Sequence, residues 1–291
     1  MKTLRFFLVM AAMLLVASNA DAQNTMRVHH KDGTIHEYSI SDVDFVDWYE
    51  KTTPEGEGTE PKFENIKING TAYHLGISGA IDLGLGVKWA AYNVGAEAPG
   101  EYGDYFAWGE TTGYNDGKTT FNWSTYKYML EGYSDWMYVT KYTTNDGRME
   151  GCWYDGETYV GTMVAGVTYK NKTQLDPEDD AAHVKWQGDW RMPTKAELND
   201  LLTKCTWVWT TYGGHNGYIV VGSTGNAIFL PATGYRVDTD LVSADSWGHY
   251  WSSSLNGEYS YRAYDLDFYS DNVSLYDYAR CNGFSVRPVC P

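Results

Sequence analysis

The residues best suited to chemistry in this chain crowd toward its C-terminus, where Tyr259, Tyr261, Asp265, Asp267, Tyr269, Asp271, Tyr276 and Tyr278 interleave aromatic rings with carboxylates. That chemistry is recognition. Tyrosine offers a large, rigid contact face and a hydroxyl at small entropic cost, and short polar neighbours adapt around it. Strand alternation turns Tyr264, Leu266 and Phe268 toward a core and Tyr261, Asp265, Asp267 and Tyr269 toward solvent. The competing account is that these are ordinary sheet residues, half of them core-facing.

Other chemistries find weaker footing. The triplets Glu-Pro-Asn and Gln-Pro-Asp, which coordinate sugar through calcium in true C-type lectins, do not occur, nor does an EF-hand ladder of acids. Asp179-Asp180 reads as the acidic first turn of a helix. The seven histidines, His29, His30, His36, His74, His183, His215 and His249, show no metal-binding spacing on a helix and no Cys-x-x-Cys partner. Acid pairs for glycoside hydrolysis would arise by chance among 38 Asp and Glu, and no Gly-x-Ser-x-Gly elbow marks a serine nucleophile. No metal and no cofactor is expected.

The elements that must position the C-terminal residues follow a leader. Lys2 and Arg5 precede an apolar run from Phe6 to Ala17 and a small-residue site at Ala20-Asp21-Ala22, the pattern of a secretory signal peptide over residues 1–22. The run is too short to span a bilayer, which takes about 20 apolar residues. The expected destination is the periplasm, the cell surface or the extracellular space, with no integral membrane segment once the leader is removed. A formal charge of −16 makes nucleic acid a poor partner, because binding it requires Lys and Arg to neutralise phosphates.

Residues 23–50 read as a small β-hairpin module, with strands at Met26–His30 and Thr34–Ile40 around Asp32-Gly33. Residues 51–62 are a flexible linker without apolar side chains beyond proline. The main domain is expected over 63–291. Its stretch from Thr111 to Thr173 lacks a steady period and reads as long loops with short strands, whose Trp123, Trp136, Trp153, Tyr126, Tyr128, Tyr138 and Tyr142 either stack on sugars or fill a core. A short helix is expected from Pro177 to about Val184. A second opens on Thr194 and Glu197, a capping box, and continues with Leu198, Leu201, Leu202 and Cys205 along one face. From Trp207 onward alternation dominates, with turns at 213–217 and 224–226.

Four cysteines, Cys152, Cys205, Cys281 and Cys290, allow three pairings. Cys205 on an apolar helix face and Cys290 on a core parity favour a Cys205–Cys290 disulfide, whose closure would stabilise the fold by roughly 4 kcal/mol in the chain-entropy model. Cys152 and Cys281 then pair together or stay reduced.

Five ordered motifs carry a resemblance: Asp82-Leu83-Gly84-Leu85 with Val87-Lys88-Trp89-Ala90; Tyr105-Phe106-Ala107-Trp108-Gly109-Glu110; Trp190-Arg191-Met192-Pro193-Thr194 with Glu197; Tyr250-Trp251-Ser252-Ser253-Ser254; and Gly283-Phe284-Ser285-Val286-Arg287-Pro288-Val289. Over most of residues 75–290 the chain resembles the Fibrobacter succinogenes major paralogous domain, found in exported proteins of Bacteroidetes. The resemblance implies an α+β, C-type-lectin-like fold of two helices, small antiparallel sheets and a long loop region. It implies little about activity, since a fold does not establish function.

The leading expectation is therefore a secreted or cell-surface module, not an enzyme, that binds a glycan or protein through the Tyr and Asp residues of 255–282. One alternative is a structural or assembly subunit of the cell envelope, with residues 23–50 docking to an envelope partner. The other is an enzyme on a scaffold like that of formylglycine-generating oxidases. For that chemistry Cys281 has only Arg280 beside it to lower its pKa, and the close pair of catalytic cysteines is absent.

Overall fold

Strands hold 43% of the backbone and helices 12% among the described residues. The computed structural model describes residues 25–29, 35–39, 60–143, 152–155, 158–162 and 170–291. The expected leader, most of the linker and the side chains of Cys152 and Trp153 lie outside that set. Residues 1–51 and 52–291 form two compact units. In the first, β1 (Thr25–His29) pairs antiparallel with β2 (Ile35–Ser39).

The second unit begins with β3 (Lys62–Ile68) and β4 (Thr71–Ser78), joined through Asn69 and Gly70. Both turn residues have positive φ, 50° and 85°, the conformation that a two-residue hairpin turn demands and Asn-Gly supplies. Then come β5 (Ala80–Asp82), β6 (Lys88–Ala90), β7 (Lys141–Thr143), β8 (Cys152–Asp155), β9 (Thr158–Thr162) and β10 (Lys170–Asn171). Two α-helices lie among the described residues, α1 (Ala181–Trp186) and α2 (Lys195–Lys204). The rest is β11 (Thr206–Tyr212), β12 (His215–Val221), β13 (Asn226–Pro231), β14 (Tyr235–Val237), β15 (Asp240–Val242), β16 (Trp247–Leu255), β17 (Arg262–Tyr269), β18 (Asn272–Ala279) and β19 (Val289–Cys290). No helix among the described residues is long and apolar enough to cross a membrane.

Two sheets dominate this unit: a five-stranded one in the order β11-β12-β13-β4-β3 and a three-stranded one, β16-β17-β18. Tyr218, Val220, Ile228 and Leu230 of the first share a core with Tyr250, Leu266 and Phe268 of the second, together with Leu198 and Leu201 of α2. The five-stranded sheet buries its other face as well, through Leu75, Ile219, Ala227 and Phe229. Residues 219–220 and 227–230 are thus apolar without alternation because both sides are covered.

Among the described residues the architecture is a mostly β sandwich with several small sheets and only two α-helices, which overturns the expected α+β, C-type-lectin-like fold. The helices are short for local reasons. Asp180 caps α1 by accepting from the His183 N–H, and after six helical residues the chain turns at Gln187, whose φ of 61° no helix continues. The capping box of α2 is formed, with Thr194 and Glu197 each accepting the other's backbone N–H, but only Leu198 and Leu201 are buried. Cys205 is the residue that ends α2, and Cys290 lies in β19 opposite Lys88. No disulfide joins them; the shared apolar parity placed both near a core without placing them together.

The long loop region contributes core. Phe121, Tyr126, Tyr128, Val139 and Tyr142 are buried with Trp108, Trp251 and Phe284, while Trp123 and Trp136 pack partly buried at the margin. Arg280 ties this region down: its guanidinium donates to the Tyr126 hydroxyl at 2.8 Å and to the carbonyls of Tyr142 at 3.0 Å, Ser260 at 2.7 Å and Lys141.

Candidate functional site

The register of β16, β17 and β18 groups the Tyr and Asp residues on one sheet face. Trp247 pairs with Tyr269, His249 with Asp267 and Trp251 with Asp265 across β16 and β17. Asp267 pairs with Ser274, and Asp265 with Tyr276, across β17 and β18. With a side-chain period of two, Trp247, His249, Asp265, Asp267, Tyr269, Ser274, Tyr276 and Tyr278 share that face. The opposite face carries Tyr250, Leu266 and Phe268 into the shared core. Tyr264, expected inside with them, is only partly buried, and the Lys195 ammonium sits 3.4 Å from its ring centre.

The polar face is not uniformly open. Asp265 is 0% and Asp267 7% exposed, so the expectation that both face solvent is corrected. Parity was right and cover was not. Phe284 lies over the inner part of the face, stacked on Trp251 at 4.1 Å and close to His249 at 4.6 Å, and Tyr235 meets His249 edge-on at 5.1 Å. The outer part remains open: Trp247 is 38%, Tyr269 36% and Tyr276 52% exposed. Trp247 and Tyr269 stack with centroids 5.5 Å apart and planes 28° from parallel.

Beneath the open part sits a buried polar cluster. The Nδ1 atom of His249 lies 3.1 Å from Oδ2 of Asp265 and 3.8 Å from Oδ2 of Asp267. Burial pushes the imidazole of His249 down to about 4 despite the pull of Asp267. Burial also pushes the Asp265 carboxyl well above the ordinary carboxylate range, with Asp277 adding to it, and raises Asp267. Burial therefore favours the charge-poor form of the pair, a protonated Asp265 facing a neutral imidazole. Among the described residues, His249 Nε2 and Asp265 Oδ1 have no hydrogen-bond partner. Tyr278 closes the cluster edge-on to His249 at 5.1 Å, and burial, then Asp267, pushes its hydroxyl up to about 12.

The remaining expected residues fall elsewhere. Tyr261 packs against Trp136 at 4.5 Å and Tyr259 against Tyr261 at 5.9 Å, ahead of β17. Asp271 is exposed in the β17–β18 turn. Two residues of the site, Trp247 and His249, were outside the expected set, although alternation with Trp251 would have put them on the same face as Asp265 and Asp267.

Neither Cys281 nor the acids before α1 make a second site. Burial raises the Cys281 thiol to about 12, the reverse of what a nucleophilic thiolate requires. Asp176, Glu178 and Asp179 lie close together, but Lys127 is 3.0 Å from Asp179, Lys141 contacts all three and Lys172 contacts Asp176. Burial works against the charge of Asp179, yet hydrogen bonds from Lys141, Tyr128, Tyr142 and Lys127 outweigh it and lower its pKa to about 2. This cluster is an internal salt-bridge network, and Asp180 is committed to capping α1 and to the Met192 N–H.

The Ser run beside the site is scaffold. Ser252 Oγ donates to the Tyr264 carbonyl at 2.7 Å, and Ser254 Oγ accepts from the Lys195 N–H at 3.0 Å, fastening β16 to β17 and to the start of α2.

Residues 209–289 match the family model described as Domain of unknown function (DUF8237). That span holds the whole three-stranded sheet and less than half of the chain. No curated protein and no solved structure matches the chain.

Proposed function

We propose that this protein is an exported, non-enzymatic binding module that takes a glycan on the Trp247, Tyr269 and Tyr276 face of the β16–β18 sheet. The observation that carries the reading is the pair of near-parallel rings, Trp247 and Tyr269, left open on a rigid sheet with Tyr276 exposed on the same face. Such rings offer flat apolar faces to the C–H side of a sugar. Asn272, Ser274 and Asp271 at the margin supply the polar atoms that sugar hydroxyls need. A site on strands is held more precisely than one on loops, because the hydrogen-bonded ladder fixes the ring spacing.

The test is a glycan array probed with residues 23–291, followed by calorimetry on the strongest glycan. Trp247→Ala and Tyr276→Ala should each weaken binding at least about tenfold. Retention of a protein ligand and no glycan across the array, or glycan binding indifferent to both substitutions, would refute the assignment.

A further inference from the structure

Three arginines of the main unit are buried, and two of them are fully bonded within the fold. Arg287 donates to Asn93 Oδ1 at 2.8 Å and to the carbonyls of Ala90 at 3.2 Å, Ala91 at 3.1 Å and Phe229 at 2.8 Å. Arg280 is bonded as described above. Arg236, in the Gly234-Tyr235-Arg236 triplet, is different.

Its backbone is anchored in β14 by reciprocal bonds with Gly283, at 2.8 and 2.9 Å. Its side chain is 9% exposed, and the guanidinium carbon lies 3.2 Å from the centre of the Tyr114 ring and 5.1 Å from that of Tyr105. Among the described residues no hydrogen bond or ion pair of this guanidinium is found, and its Nε is enclosed without an acceptor. A guanidinium carries five N–H donors and stays charged in proteins. Ring faces attract the cation but accept none of its in-plane hydrogen bonds.

The acids in the adjoining segments are already engaged. Asp104 accepts from the N–H groups of Tyr105 and Asn115, Asp116 from Lys185, Asp238 from Asn122, and Asp245 from Asn216. The clamp itself is braced, since the Tyr105 hydroxyl donates to the Thr233 carbonyl at 2.6 Å and the Tyr114 N–H to the Tyr105 carbonyl at 3.0 Å. What is left is a preformed cation whose faces are occupied and whose donor edge has no internal counterion.

We propose that Arg236, held by Tyr114 and Tyr105, is a binding site for an organic carboxylate. The planar fork matches a carboxylate through two parallel hydrogen bonds. A monoanion suits one guanidinium in a chain of formal charge −16, where a dianion would meet stronger repulsion. The site shares no residue with the glycan-binding face: Arg236 packs on Tyr114 and Tyr105, while its neighbour Tyr235 packs on His249 and Phe284.

The experiment titrates the whole chain with glucuronate, acetate and inorganic phosphate while following the Arg236 Nε–H resonance by NMR, with Arg236→Lys and Tyr114→Leu as variants. Saturable shifts with glucuronate and acetate are expected, and Arg236→Lys should weaken glucuronate at least about tenfold because an ammonium lacks the fork. Tyr114→Leu, at a partly buried position, keeps the measurement available should Arg236→Lys fail to fold, and it too should weaken binding. A response to glucuronate much stronger than to acetate assigns a sugar acid; equal responses assign the carboxylate alone. Response to phosphate alone, no saturable shift with any probe, or binding that survives both substitutions would overturn the site.

Discussion

His249 and Asp265 face each other at 3.1 Å with no solvent exposure, and burial moves their proton affinities in opposite directions. In the unfolded chain the pair titrates near 6.5 and 3.8; in the folded chain His249 falls to about 4 and Asp265 rises well above 3.8. The raised Asp265 contributes stability that is full below 3.8 and lost as pH rises through its folded value. The lowered His249 contributes stability that is present above 6.5 and lost as pH falls toward 4. Between those limits the two trends oppose each other, because folding favours the proton on the carboxyl over the imidazole.

Above pH 6.5 His249 no longer contributes a slope, and the raised Asp265 and Asp267 both act toward lower stability as pH rises through their folded values. Stability should therefore decline with a slope of up to about 1.4 kcal/mol per pH unit for each proton involved. Asp265→Asn copies the protonated acid and should flatten this alkaline decline. Urea denaturation at pH 6 and pH 8.5 decides it: an unchanged difference between the two pH values in the variant would show that Asp265 does not hold the proton.

The open rings carry a separable prediction about stability. Because Trp247 and Tyr276 are 38% and 52% exposed, replacing either with Ala should change unfolding free energy by about 0.5 kcal/mol or little more. A much larger loss by denaturant titration would mean that these rings serve the fold and not a ligand.

Arg287 is expected to behave in the opposite way. Arg287→Met strands Asn93 Oδ1 and three backbone carbonyls in the interior, and breaking so buried a polar network should cost about 3–5 kcal/mol. Urea unfolding of the variant measures this directly, and a loss below about 1 kcal/mol would contradict the bonding described.

The α2 cap is a smaller, local test. Thr194→Ala removes the acceptor for the Glu197 N–H and one donor to the Glu197 carboxylate, so it should cost about 1 kcal/mol. Glu197 remains held by Arg191 through two short bonds of 2.8 and 2.6 Å, and a melt showing no loss would mean that this pair alone secures the helix start.

Cys205 is predicted to be a thiol. Burial raises it to about 11, so alkylation of the native chain should be slow and that of the denatured, unreduced chain complete. Peptide mapping that found Cys205 in a disulfide would contradict the structure.

Short-range order in this protein was determined by the sequence alone. The antiparallel pairing of β1 with β2, the capping box of Thr194 and Glu197, and the division of β17 into a Leu266–Phe268 side and an Asp265–Asp267 side all follow from backbone geometry within a few residues. The same periodicity left β3 and β4 unremarked beside the linker and assigned His215 to Gly217 to a turn, where Gly213 and Gly214 alone make it. What covers each face was decided only in three dimensions. Phe284 and Tyr235 arrive from distant parts of the chain to bury His249 and Asp265 while Trp247, Tyr269 and Tyr276 stay open. Alternation specifies that a strand has two sides, but burial depends on which remote segments pack there, and so do the fold class and whether Cys205 and Cys290 meet.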